Sequence, residues 1–164
     1  MPEPCAGGRQ GQRVLVVAPN EDARSMLAFL LREEGFNVYT LADIPRARVL
    51  LTLCRGPVTV VMDESVPNDQ RPRWFQMLGA VAQVRGVVVS QRPGVPWVGG
   101  SRWPGSGVPC VVVGQPLRIA ALVEAITTVA ARAERGRPDA VRNQRTPASQ
   151  TGPGSTPAAP SRPA

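Results

Sequence analysis

The sequence predicts an α/β fold in which a parallel sheet is covered by helices on both sides. Between residues 13 and 136, short apolar runs of strand length alternate with longer segments whose apolar residues recur at helical spacing. Most of the short runs are continuously apolar, which indicates strands that are buried on both faces. Strands of this kind, taking turns with helices, are typical of a parallel sheet between two helical layers.

Five segments have the length and composition of strands. Four of them are continuous apolar runs bounded by Gly, Pro or polar residues, and the second in order is more polar. In chain order the predicted strands are RVLVVA (13–18), FNVYT (36–40), PVTVVM (57–62), GVVVS (86–90) and PCVVVG (109–114).

Four segments between and after these strands have helical character. The first has acidic residues at its start and Gly35 as its stop, and the second has Pro45 in its first turn. The last is a long amphipathic segment that Pro116 opens and that ends near Gly136. In chain order the predicted helices are residues 21–35, 44–54, 74–84 and 116–136.

The crossover before the last strand has no helical period. Residues 91–107 are rich in Gly and Pro, so we predict a loop in place of a helix. This loop carries Trp97 and Trp103, for which two interpretations stay open. The rings cover the sheet face that the missing helix leaves bare, which we favour, or they form an exposed surface for a partner.

Both ends of the chain are predicted to be disordered. Residues 1–12 and 137–164 consist largely of Gly, Pro and polar residues and cannot bury enough apolar area to offset chain entropy. From residue 132 onward there are six arginines against two acids, which accounts for +4 of the net charge of +7. These arginines are spread among prolines without aromatic neighbours, so a linker is favoured over a nucleic-acid or membrane contact.

The composition excludes several kinds of chemistry. All 19 cationic side chains are arginine, and there is no histidine, so Schiff-base lysines and histidine mechanisms are excluded. Cys5, Cys54 and Cys110 have no metal-ligand spacing and are interpreted as small apolar residues in a reducing compartment. The sequence has no signal peptide and no membrane-spanning segment, so we expect a cytoplasmic protein.

Over roughly residues 12–135 the chain resembles the receiver domain of bacterial response regulators. The resemblance rests on RVLVVAPNEDARSMLAFLLREEGFNVYTLAD, on VTVVMDESVP, and on the strand ends VVVS and VVVGQP. It implies a doubly wound, flavodoxin-like sheet of order 2-1-3-4-5 with its functional crevice at the carboxyl ends of the strands. It also implies a regulatory module without enzymatic activity.

The resemblance places several residues at functional positions of that family. Asp63 corresponds to the phosphoacceptor and Ser90 to the hydroxyl residue after the fourth strand. The remaining positions differ from the family pattern: the acidic pair that binds Mg²⁺ is Ala18 and Pro19, the lysine is Gln115 before Pro116, and the aromatic switch residue is Val112.

These differences predict a degenerate receiver that is not phosphorylated. Phosphoryl transfer to a carboxylate needs a divalent cation and fixed positive donors, and Mg²⁺ usually takes more than one carboxylate. We therefore interpret Asp63 as a carboxylate that accepts backbone N–H bonds in its own loop, and Gln115 as a donor to Asp63. No cofactor is expected, although a weak, solvated Mg²⁺ site stays open.

Three function classes follow. The leading one is a stand-alone module that acts by contact with a protein, such as a histidine kinase or another regulator. The second is a receiver phosphorylated on Asp63 with metal held by Glu21, Asp22 or Glu64. Glu21 and Asp22 are, however, better explained as acids at the start of the first helix. The third, a ligand sensor or enzyme at the strand ends, has no motif in its favour. The partner and the oligomeric state stay open.

Overall fold

The protein was analysed as a computed structural model, which describes residues 11–67, 69–94 and 107–136. Nearly all of the two predicted disordered ends, and the part of the loop that carries Trp97 and Trp103, lie outside the described residues. The predictions for these segments therefore stay predictions. Among the described residues, no helix combines the length and the apolar character needed to cross a bilayer.

The centre of the domain is a five-stranded sheet in which every neighbouring pair is parallel. The strand order is β2-β1-β3-β4-β5, so the predicted fold class and strand order are confirmed. The strands are β1 (Arg13–Val17), β2 (Asn37–Leu41), β3 (Val58–Met62), β4 (Val84–Gln91) and β5 (Cys110–Gly114).

Four helices cover the two faces of the sheet. One face carries the first and last helix and the other carries the two middle ones, as the membership of the two buried clusters establishes. All five residues of β3 are buried, which is the double-sided burial that its continuous apolar run predicts. The helices are α1 (Glu21–Glu33), α2 (Ile44–Leu53), α3 (Arg71–Gly79) and α4 (Ile119–Arg135).

The α3 helix differs from its prediction at both ends. It begins at Arg71 and not at Trp74, because Pro72 fits the first helical turn and Arg71 is anchored to the preceding loop. It ends at Gly79, because the N–H groups of the next two residues bond three positions back in a turn. Residues 84–91 are thereby left for β4, which is longer at both ends than predicted.

The α4 helix begins later than predicted. Pro116 precedes the helix, and the peptide bond between Gln115 and Pro116 is cis. The side-chain oxygen of Gln115 accepts the N–H of Leu117 at 2.8 Å, and Arg118 is extended. The chain therefore makes a turn after β5 before the helix starts at Ile119.

The two faces have separate cores. Leu27 and Leu31 of α1 meet Ile126 and Val129 of α4 over one face of the central strands. Trp74 and Phe75 of α3, both 1% exposed, lie in the core of the other face.

Candidate functional site

The residues singled out from the sequence lie at one edge of the sheet, where the parallel strands end. Asp63 follows β3, Ala18 and Pro19 follow β1, Gln115 follows β5, and Ser90 is the penultimate residue of β4. Since β1 and β3 are neighbours whose connections run to opposite faces, this edge is the switch point of the sheet. The resemblance predicted a crevice at this edge.

Asp63 is buried, with 5% of its surface exposed, and is held by its own loop. Its N–H donates to the carbonyl oxygen of Val17, which fixes the residue against the end of β1. Its Oδ2 accepts two hydrogen bonds from Ser65, one from the backbone N–H at 3.1 Å and one from the hydroxyl at 2.6 Å. This is the loop-holding role that the sequence predicted for Asp63.

The acceptors next to Asp63 are satisfied by arginine. Arg92, after β4, donates from Nε to the Glu64 carboxylate at 2.9 Å, an exposed pair in which Glu64 raises the pKa of Arg92. Arg71 is only 6% exposed and donates to the backbone oxygens of Val66 at 3.1 Å and Glu64 at 3.3 Å. Burial lowers the pKa of Arg71, and the neighbouring carboxylates of Asp63 and Glu64 counteract this effect.

A third arginine lies where the family has its acidic pair. Ala18 is fully buried and Pro19 is exposed, and neither residue type has a side-chain oxygen. Their backbone oxygens accept hydrogen bonds from one guanidinium nitrogen of Arg24, at 2.8 Å and 3.4 Å. The guanidinium of Arg24 therefore sits against the end of β1 and brings a fixed positive charge there.

The acids that could replace the lost pair are not directed into the site. Glu21 and Asp22 are exposed in the first turn of α1, where they favour the helix dipole. The helix is capped by Asn20, whose side chain accepts the N–H of Ala23 at 2.9 Å. The interpretation of these acids as helix-start residues is confirmed.

Gln115 does not bond Asp63, and that prediction is wrong. Its side-chain nitrogen donates to the hydroxyl of Ser90 at 2.6 Å, while its oxygen accepts the N–H of Leu117. Ser90 is 1% exposed, so its buried hydroxyl has a partner in this bond. The turn after β5 holds the Gln115 side chain over the end of β4, and this keeps it from the Asp63 loop.

Few side-chain oxygens at this edge are grouped as metal ligands. No group of three acidic or sulfur side chains in the described part of the chain has a metal-binding arrangement. The backbone oxygens of Ala18 and Pro19 are bound by Arg24, the Glu64 carboxylate is bound by Arg92, and Oδ2 of Asp63 is bound by Ser65. Val112 is half-buried on β5, beside Val89 of β4, and contributes no polar atom.

Sequence reasoning did not identify Arg24, Arg71 and Arg92 as site residues. Each of these arginines lies at a position that is not among the family's site residues, and its long side chain extends to this edge of the sheet. One signal was available, because the chain has no lysine and arginine is its only means of placing a permanent cation beside Asp63.

Comparison with known proteins supports the fold. Neither a protein-family model nor a curated protein matches the sequence. In structure, the chain is similar to a response regulator receiver domain protein from Clostridium thermocellum, with a TM-score of 0.63 and 15% identity over 76% of this chain and 98% of that one.

Two further solved structures give the same result. A CheY-like receiver domain protein from Methanospirillum hungatei has a TM-score of 0.59 and 16% identity, over 76% of this chain and 98% of that one. The receiver domain of the hybrid histidine kinase CckA has a TM-score of 0.54 and 20% identity, over 72% and 98%. At these identities the likeness concerns the fold. By its fold, the described part of this chain is a receiver-like domain.

Proposed function

We propose that this protein is a stand-alone regulatory module that works by contact with another protein and is not phosphorylated. The receiver-like fold supports a role in signal transduction. The observation that carries the finer proposal is the set of arginine contacts around Asp63. Arg24 binds the backbone oxygens of Ala18 and Pro19, Arg71 binds backbone oxygens of the Asp63 loop, and Arg92 binds the Glu64 carboxylate.

Charge and geometry at this edge both oppose phosphorylation of Asp63. An incoming phosphoryl donor brings negative oxygens toward the Asp63 carboxylate, and the barrier falls only when mobile or fixed cations are aimed at those oxygens. Here the guanidinium groups are directed at backbone oxygens and at Glu64 instead. Attack by Asp63 would also break both hydrogen bonds from Ser65 to its Oδ2, or use the other oxygen in a site that is 5% exposed.

The competing function is a phosphorylatable receiver with metal held by Glu21, Asp22 or Glu64. The exposed positions of the first two and the ion pair of Glu64 with Arg92 weigh against it. Enzymatic activity is not part of the proposal.

Incubation with acetyl phosphate and Mg²⁺, read by intact mass, tests the proposal. We expect no phosphoryl adduct on the wild-type chain and the same spectrum for Asp63→Asn. A wild-type adduct that Asp63→Asn abolishes would establish the phosphorylatable receiver. A triple variant, Ala18→Asp with Pro19→Asp and Gln115→Lys, restores the family's acidic pair and lysine. It serves as a positive control, because a phosphoryl adduct on this variant shows that the reagent is active.

A second readout concerns the metal directly. We expect the backbone amide signals of residues 63–66 to stay unchanged in NMR spectra when Mg²⁺ and beryllofluoride are added. Shifts confined to this loop would show a working cation site and contradict the proposal.

A protein of the signalling class, such as a histidine kinase or another regulator, is the proposed partner. The same fold in the receiver of the hybrid histidine kinase CckA supports this choice. A cytoplasmic location belongs to the same proposal. Capture of partners by chains with and without residues 137–164 tests whether the domain or the tail makes the contact.

A further inference from the structure

Two helices of the domain expose apolar side chains that the fold does not cover. On α1, Met26 is 57% exposed and Phe29 is 62% exposed, one turn apart. On α2, Val49 is 60% exposed and Leu53 is 75% exposed, again one turn apart. Pairs at this spacing lie on one side of a helix, so each helix presents an apolar stripe to its surroundings.

The stripe on α1 is acidic at both ends. Asp22 lies one turn before Met26 and Glu33 one turn after Phe29, and both acids are exposed. Neither arginine of α1 forms an ion pair with these two acids, because Arg24 is bound to the end of β1 and Arg32 donates to the oxygen of Val38 at 3.1 Å. We call Asp22, Met26, Phe29 and Glu33 the acidic stripe.

The stripe on α2 has the opposite charge. Arg46 precedes Val49 by one turn, Arg48 is an exposed residue next to Val49 in sequence, and residues 44–57 contain no acidic side chain. Arg46 is partly neutralised by its pair with Asp43 at 3.5 Å, whereas Arg48 has no ion-pair partner among the described residues. We call Arg46, Arg48, Val49 and Leu53 the basic stripe.

The two stripes are complementary but cannot meet within one molecule. The buried side of α1 packs into the core of one sheet face, and the buried side of α2 packs into the core of the other. Their exposed sides therefore point away from each other. We infer that the acidic stripe of one chain binds the basic stripe of a second copy of this chain.

Such a contact has a defined symmetry. It joins two different surfaces, so it is heterologous and leaves one free stripe on each end of a dimer, to which further copies can add. The apolar pairs are small, so the association is weak and charge-assisted. The inference does not rest on the proposed function, because both stripes lie outside the Asp63 loop.

Sedimentation of the full chain over a concentration series tests the inference. We expect the average mass to rise with concentration and to fall again when salt is added, because exposed charges are screened. A chain that stays monomeric at low salt up to about 1 mM, a Kd at the weak end of the affinity scale, overturns the inference.

Charge reversals identify the surface. Arg48→Glu alone and Glu33→Arg alone should each weaken self-association about tenfold, because an attraction becomes a repulsion in every contact. In an equal mixture, the two variants should associate with each other more strongly than either associates with itself, because both stripe contacts between unlike chains are complementary. Glu124→Arg, an exposed reversal on α4, should have no effect.

Apolar substitutions provide a second measurement. Phe29→Ser and Leu53→Ser should each reduce association more than tenfold without changing the fold, because both side chains are mostly exposed in the monomer. Self-association that is unchanged by the reversals, or that mixing does not restore, would assign the contact to another surface and overturn the inference.

Discussion

Gly86 provides the sharpest test of the packing between the sheet and α4. It lies in β4, and a Cβ built on it would stand 1.5 Å from Cγ1 of Val129 and 3.4 Å from the backbone oxygen of Pro109. Val129 is fully buried and β-branched, so it cannot swing aside freely. The Gly86→Ala substitution therefore forces a shift of side chain or helix.

The magnitude follows from two opposing effects. Alanine in place of a strand glycine gains about 0.5–1 kcal/mol of stability through reduced chain entropy. Overpacking a buried site costs about 1–3 kcal/mol, and the 1.5 Å separation from Val129 puts this site at the upper end. We expect Gly86→Ala to lower the free energy of unfolding by about 2 kcal/mol, measured by urea denaturation with tryptophan fluorescence.

A double-mutant cycle isolates the cause. Val129→Ala alone should cost about 2 kcal/mol, because it removes two buried methyl groups and leaves a small void. In the Gly86→Ala background the same change should cost clearly less, with a coupling of about 1 kcal/mol or more, because the added methyl group fills part of that void.

Gly114→Ala in β5 is the matched control, because nothing lies within 4 Å of its added Cβ. It should be neutral or slightly stabilising. A neutral Gly86→Ala, or additive effects in the cycle, would refute the proposed packing.

Three further predictions concern single residues. Asn20→Ala should lower the unfolding free energy by about 1 kcal/mol through loss of the α1 cap, seen in thermal unfolding. Arg71→Met should cost about 1–3 kcal/mol because two loop oxygens lose their donor, whereas Arg73→Met, on the exposed side of α3, should cost almost nothing. Burial raises the pKa of Cys110 from 9.0 to about 12. The contribution of its neutral thiol to the free energy of unfolding is therefore complete below pH 9 and declines as the pH rises towards 12. Cys110→Ala should remove this part of the loss of stability at alkaline pH, measured by urea titration.

The sequence predicted the sheet well because the continuous apolar runs of most strands identify them without knowledge of the tertiary structure. A run such as VTVVM has no polar position to face water, and the structure buries all five of its residues. The ends of α3 and α4 were predicted less well. There the boundary depends on a side chain that bonds the backbone, Arg71 to the Val66 oxygen and Gln115 to the Leu117 N–H, and local propensity does not register such bonds.

The position of the site could be predicted from the sequence, but the contacts between its side chains could not. Asp63 and Ser90 end neighbouring strands, and a fold-level pattern is sufficient to bring them to one edge. The partners of the carboxylates could not be predicted. Arg92 reaches Glu64 across 28 positions of sequence, and the direction of a long, flexible side chain is decided by the finished tertiary structure.

The cation at the end of β1 is part of the polypeptide, since Arg24 supplies it. Chelators, dilution and changes in free magnesium can remove a bound ion, but none of them can remove a side chain of the polypeptide. The positive charge at the end of β1 therefore does not depend on the supply of metal ions. Under the proposed function, the output of this module is adjusted through its synthesis and degradation.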